Sequence, residues 1–127
     1  MTAFQPIVYA SPMSDARAEP YHQRWFICDT EGRLLTADKV SGLQQLSLDL
    51  YLGALRLRAP GMLTLELLLD VIEDDDSVRC QAQVGDQLVA AIDEGTLAHT
   101  WFSRLLGQQC LCLKVDPEHK KQVAWPE

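Results

Sequence analysis

Along most of this chain apolar and polar residues alternate, the period expected of strands with one face buried and the other wet. The clearest run is Leu46-Ser47-Leu48-Asp49-Leu50-Tyr51-Leu52, broken by Gly53 and resumed by Leu55-Arg56-Leu57-Arg58-Ala59, which predicts a hairpin. A second hairpin is predicted from Trp25-Phe26-Ile27 through the turn Thr30-Glu31-Gly32-Arg33 into Leu34-Leu35-Thr36. After Pro60-Gly61 the chain enters a strand at Leu63-Thr64-Leu65-Glu66-Leu67. A third hairpin joins residues 78–84 to 88–92 across Gly85-Asp86, and Cys110 to Val115 reads as the last strand. One stretch has the helical period instead: Leu97, Trp101 and Leu105 recur every four residues, flanked by Ala98, Phe102 and Leu106. Asp93 or Thr96 is suited to cap its first turn and Gly107 to end it in the left-handed conformation. His99 is expected at the rim or facing water. About nine short strands and one helix predict a mostly β (α+β) fold, an antiparallel, barrel-like sheet. The helix, in the C-terminal half, would cover an opening or an unpaired edge.

The length of 127 residues fits one domain, read here as residues 1–115, followed by a polar C-terminal tail over 116–127 that carries Pro117 and Pro126. Eleven Lys and Arg against eighteen Asp and Glu give a net charge of −7. Phosphate affinity needs clustered cations, so this balance argues against nucleic acid and anionic membrane surfaces as partners. Met1 to Tyr9 lacks the basic and apolar regions of a secretory signal, and Leu67-Leu68-Leu69 stops at Asp70, far short of a membrane span. The expectation is a cytoplasmic protein whose Cys28, Cys80, Cys110 and Cys112 are reduced and mostly buried.

Local motifs for chemistry are sparse. Glu73-Asp74-Asp75-Asp76 lacks the alternating ligands, central Gly and closing Glu of a calcium loop and reads as a solvated connection. Cys110 and Cys112 share one strand face without the second pair that zinc would want. His22, His99 and His119 are scattered, and neither a phosphate-binding Gly-rich loop nor a nucleophile elbow occurs. Trp25, Trp101 and Phe102, set among apolar neighbours, read as core.

The order of several weak motifs is more specific than any one of them. Tyr21-His22-Gln23-Arg24-Trp25-Phe26-Ile27-Cys28-Asp29, then Glu31-Gly32-Arg33-Leu34-Leu35-Thr36-Ala37, resembles the N-terminal β-barrel domain of MOSC proteins. There an Asp-Arg-Arg-Trp-like segment enters a strand, a Gly-containing turn follows, and the next strand ends in Leu-Thr-Ala-Arg. Leu55-Arg56-Leu57, Ala59-Pro60-Gly61-Met62, Arg79-Cys80 and Asp93-Glu94-Gly95 before the helix with Trp101-Phe102-Ser103 agree in order, over about residues 20–115.

The resemblance implies a mixed β-barrel with a packed helix and a link to the molybdenum cofactor, a pterin phosphate bound between this domain and the MOSC domain proper. The metal-binding cysteine of the reducing members belongs to that second domain, so none of the four cysteines here takes that role. By position, Arg24 and Thr36 are the candidate cofactor-binding residues; no catalytic or metal-binding residue is assigned. Where members carry a Lys and a Ser near the cofactor this chain has Val8 and Tyr9, and where they carry Arg it has Gln23 and Asp38. The expected function is therefore a stand-alone accessory or binding module, not catalytic alone. Its partner would be a protein carrying the MOSC domain proper or a small anionic ligand. The alternative is a subunit of a molybdenum-cofactor-dependent oxidoreductase or sulfur-transfer enzyme that holds the cofactor.

Overall fold

The computed structural model describes residues 3–69, 78–117, 119 and 122–126. The acidic run at 73–76 and the Lys120-Lys121 pair lie outside them. Among the described residues seven strands, where about nine were expected, form two antiparallel sheets. The four-stranded sheet has β1 (Trp25–Cys28), β7 (Leu111–Val115), β6 (Gln87–Asp93) and β5 (Arg79–Val84) in that order. The three-stranded sheet is β2 (Ser47–Tyr51), β3 (Ala54–Arg58) and β4 (Leu65–Leu68). Helix α1 spans Thr96–Leu106, between β6 and β7.

Two of the predicted strands shrink because their ends find other partners. The segment after the Gly32 turn keeps only one bridge to β1, Cys28 to Leu34, and one to β5, Arg33 to Gln83. Leu35 N also donates to Ile27 O at 3.0 Å, and Leu34 N to Gln83 O at 2.8 Å. These bridges touch both outer strands of the four-stranded sheet without forming a ladder. Hydrogen-bonded strands thus give sheets of four and three among the described residues, and a closed barrel is not established. β4 begins at Leu65, leaving Leu63 exposed in the preceding loop.

Both faces of the four-stranded sheet are buried, because successive side chains of an extended strand point opposite ways. Trp25 and Ile27 point into one core with Leu55, Leu57, Leu65, Leu67, Trp101 and Phe102; Phe26 and Cys28 point into a second with Val8, Ala82, Val89 and Leu113. The described end of the chain, read from sequence as a polar tail, places Val123 and Trp125 against that second core.

The helix forms where predicted, but its buried face is Ala98, Trp101 and Phe102, and Leu97 is 76% exposed. At roughly 100° per residue the buried face centres near Leu105, which puts Leu97 about 90° away, on the flank. The expected side-chain cap is also replaced. Gly95 is the N-cap at φ +99, a conformation open to glycine, and Asp93 Oδ1 accepts from Gly95 N at 2.7 Å. Gly107 ends the helix at φ +70 as expected. No helix among the described residues is long and apolar enough to cross a membrane.

Candidate functional site

A cleft of about 320 Å³ opens where the two sheets and the start of α1 meet, lined by Leu65–Leu68, Ile92–Glu94, Leu97, Ala98 and Lys114. Its chemistry comes from two charges that the fold buries. On β7 the two-residue period puts Lys114 on the same side as Cys112, toward the core between the sheets, and Lys114 is only 2% exposed. A buried ammonium must be hydrogen-bonded or paired, since desolvation otherwise costs several kcal/mol. Lys114 Nζ donates to Leu68 O at 2.6 Å and Leu69 O at 3.4 Å, both at the end of β4, and lies 3.8 Å from Glu94 Oε1. It also sits 5.3 Å from the centre of the Trp25 ring, its register partner on β1. Lys114 thus ties the four-stranded sheet to the three-stranded one.

Glu94 follows β6 immediately, its N–H donating to Cys112 O at 3.2 Å. Burial pushes its carboxyl above the ordinary glutamate range, and the nearby Lys114 charge offsets that only in part. The Trp25 indole N–H also favours the carboxylate, although it completes no hydrogen bond of regular geometry among the described residues. Beside this pair, His99 Nε2 lies 2.9 Å from Asp93 Oδ1 without completing a hydrogen bond of regular geometry, and the half-buried His99 sits at the rim.

Across Leu97 from the cleft runs a second, more apolar depression of about 410 Å³, lined by Gly61, Met62, Leu63, Leu97, Thr100, Trp101 and Arg104. Trp101 forms its floor: the indole is 8% exposed and donates from Nε1 to Leu63 O at 2.7 Å. Of the six large hydrophobic side chains exposed among the described residues, Leu63, Leu68 and Leu97 border these two depressions. Exposed apolar side chains gathered on one face mark an interaction surface more often than the same residues scattered singly.

The residues expected from sequence lie elsewhere. Arg24 Nη2 donates to Pro20 O at 3.0 Å, on the short 3₁₀ helix Ala16–Tyr21. Thr36 Oγ1 donates to Asp38 Oδ1 at 2.5 Å, the contact that holds the Asp38 carboxyl below its usual range. No hydrogen bond joins Arg24 to Thr36, and neither lines the cleft. Val8 is buried in the second core. All four cysteines are unpaired; burial is the main cause that pushes the Cys28 thiol up to about 12 and the Cys112 thiol well above its usual range. Among the described residues no three His, Cys, Asp or Glu side chains gather to hold a metal ion. A signal for Lys114 was present: in Cys110-Leu111-Cys112-Leu113-Lys114 it falls in step with two core cysteines, a charge at a core position.

Comparison with known proteins places this geometry in context. The model of the family described as the MOSC N-terminal beta barrel domain matches residues 14–109. A solution structure of the protein coded by a gene locus of Bordetella bronchiseptica is similar at 44% identity, with a TM-score of 0.83, over 99% of this chain and 98% of that one. No curated protein matches the chain.

Proposed function

The chain belongs to the family of the MOSC N-terminal beta barrel domain, and from that premise we propose that it is a non-catalytic accessory module that docks a protein partner on the face around α1. The observation that carries this reading is the exposure of Leu63 and Leu97, at 87% and 76%, on either side of a groove floored by Trp101. Apolar side chains of that size gain by being covered, at roughly 25 cal/mol per Å² of apolar surface removed from water. The partner we propose is a protein carrying the MOSC domain proper.

The positions that the family uses near the cofactor phosphate do not fit it in this chain. Val8 fills the second core beside Val123 and Trp125 instead of presenting a cation. Tyr9 donates its hydroxyl to Pro126 O. Gln23 is neutral, and Asp38, a carboxylate, takes the Thr36 hydroxyl. Arg33 is held by Asp29 and Glu31. A dianionic phosphate would meet an acidic chain with few cations to neutralise it.

The test is calorimetric titration of the chain with a purified MOSC-domain protein from the same genome. One-to-one binding, weakened by about tenfold or more in Leu63→Asp/Leu97→Asp with an unchanged melting curve, is the expected result. Equal binding by that variant would remove the groove from the interface. Stoichiometric molybdenum in protein purified from its own host would favour the cofactor-holding alternative.

A further inference from the structure

The described end of the chain is read by the rest of the molecule as a peptide ligand is read. Residues 122–126 lie against the second core, with Val123 and Trp125 half-buried on it and Gln122 and Ala124 exposed. The Trp125 ring centre lies 5.2 Å from that of Phe26, at an interplanar angle of 50°. The backbone on both sides of Val123 is met by one side chain. Gln87 Nε2 donates to Gln122 O at 3.1 Å, and Gln87 Oε1 accepts from Ala124 N at 2.8 Å. A donor and an acceptor offered to residues two apart is what a sheet edge offers to an added strand.

The far end is fixed as specifically. The Tyr9 hydroxyl donates to Pro126 O, and Pro126 packs over Gly85, whose absent Cβ would stand 3.9 Å from the proline ring. Tyr9 does this from a backbone φ of +74, an unusual state for a bulky residue, with its carbonyl held by Gln44 Nε2 at 2.6 Å. Among the described residues no backbone–backbone hydrogen bond ties 122–126 to the sheet. The segment is therefore held by side chains and ring packing alone, and its release would break no ladder. Pro126 also biases Trp125 toward extended backbone, which lowers the ordering cost of such a peptide when it binds.

We propose that the surface formed by Tyr9, Phe26, Gly85 and Gln87 is a groove for an extended peptide of the pattern apolar-x-Trp-Pro, and that residues 122–126 are its resident, exchangeable ligand. The same contacts are open to a segment of this chemistry arriving in trans. This site lies on the second core and does not depend on the partner face proposed above.

The test uses the full chain carrying Trp125→Ala, which weakens the resident strap, and an acetylated peptide of residues 122–127. Saturable NMR shifts of the Gln87 side-chain amide and the Phe26 and Gly85 backbone amides are expected. Affinity should fall about tenfold or more for the peptide with alanine in place of tryptophan, and for the wild-type chain, whose own strap competes. No shifts at millimolar peptide, or equal binding by wild type and Trp125→Ala, would overturn the proposal, as would global unfolding of that variant. Gln87→Ala in an otherwise intact chain gives an independent reading by hydrogen exchange. Faster exchange of the Ala124 amide with unchanged protection across β5 and β6 supports the groove, and unchanged exchange at Ala124 refutes it.

Discussion

Truncating Trp101 tests how α1 is held to the sheets. The indole is nearly buried in the core between the sheets, packs edge-to-face on Phe102 with ring centres 5.1 Å apart, and donates to Leu63 O at 2.7 Å. Losing a buried aromatic side chain to alanine costs ~3–5 kcal/mol, through lost burial and an incompletely collapsed cavity. The hydrogen bond accounts for ~1 kcal/mol of that, because Leu63 O stands in an exposed loop and regains water when the donor goes. Trp101→Phe should separate the two contributions at a cost of ~1–2 kcal/mol, since it keeps ring burial and removes the donor. Leu97→Ala, one turn away on an exposed flank, should stay within ~0.5 kcal/mol. Urea unfolding followed by far-ultraviolet circular dichroism gives all three values at unchanged m. A cost below ~1 kcal/mol for Trp101→Ala, or a larger cost for Leu97→Ala than for Trp101→Ala, would show that the helix is anchored by another face.

Lys114→Met should destabilise by ~3–5 kcal/mol at neutral pH, because it leaves the buried Glu94 carboxylate uncompensated; adding Glu94→Gln should recover part of that loss in a double-mutant cycle, and strict additivity would show that the two side chains are uncoupled. The Glu94 carboxyl is raised in the folded state, so its contribution to stability is greatest below the ordinary glutamate range and is lost as pH rises through the raised value. The denaturant midpoint of Glu94→Gln should therefore improve relative to wild type between acidic and neutral pH, and parallel pH profiles would contradict that reading. Under native conditions a thiol reagent should modify half-buried Cys80 first, with Cys28, Cys110 and Cys112 reacting only after denaturation; early labelling of Cys112 would mean that β7 opens readily.

Much of the fold was legible in the sequence, because alternation and turn chemistry are local. The hairpins β2–β3 and β5–β6 and the end of α1 at Gly107 follow from period-two runs, Gly-containing turns and a left-handed cap. The ordered motifs around Arg24-Trp25, Gly32 and Asp93-Glu94-Gly95 carried the family as well, which the match over residues 14–109 bears out. What the sequence left open depends on contacts between distant segments. Leu97 repeats with Trp101 in sequence, yet only the position of the sheets decides which flank of a helix is covered. Lys114 could be placed on a core-facing strand position, but its partners, Leu68 O, Leu69 O and Glu94, come from two other elements. Arg24 and Thr36, chosen by position in a motif, turned out to spend their hydrogen bonds locally, on Pro20 O and Asp38. The alternation of apolar and polar residues determines which side of a strand seeks burial. Only the tertiary packing decides which charges are buried with it and what neutralises them, because desolvation and pairing depend on every neighbouring element at once.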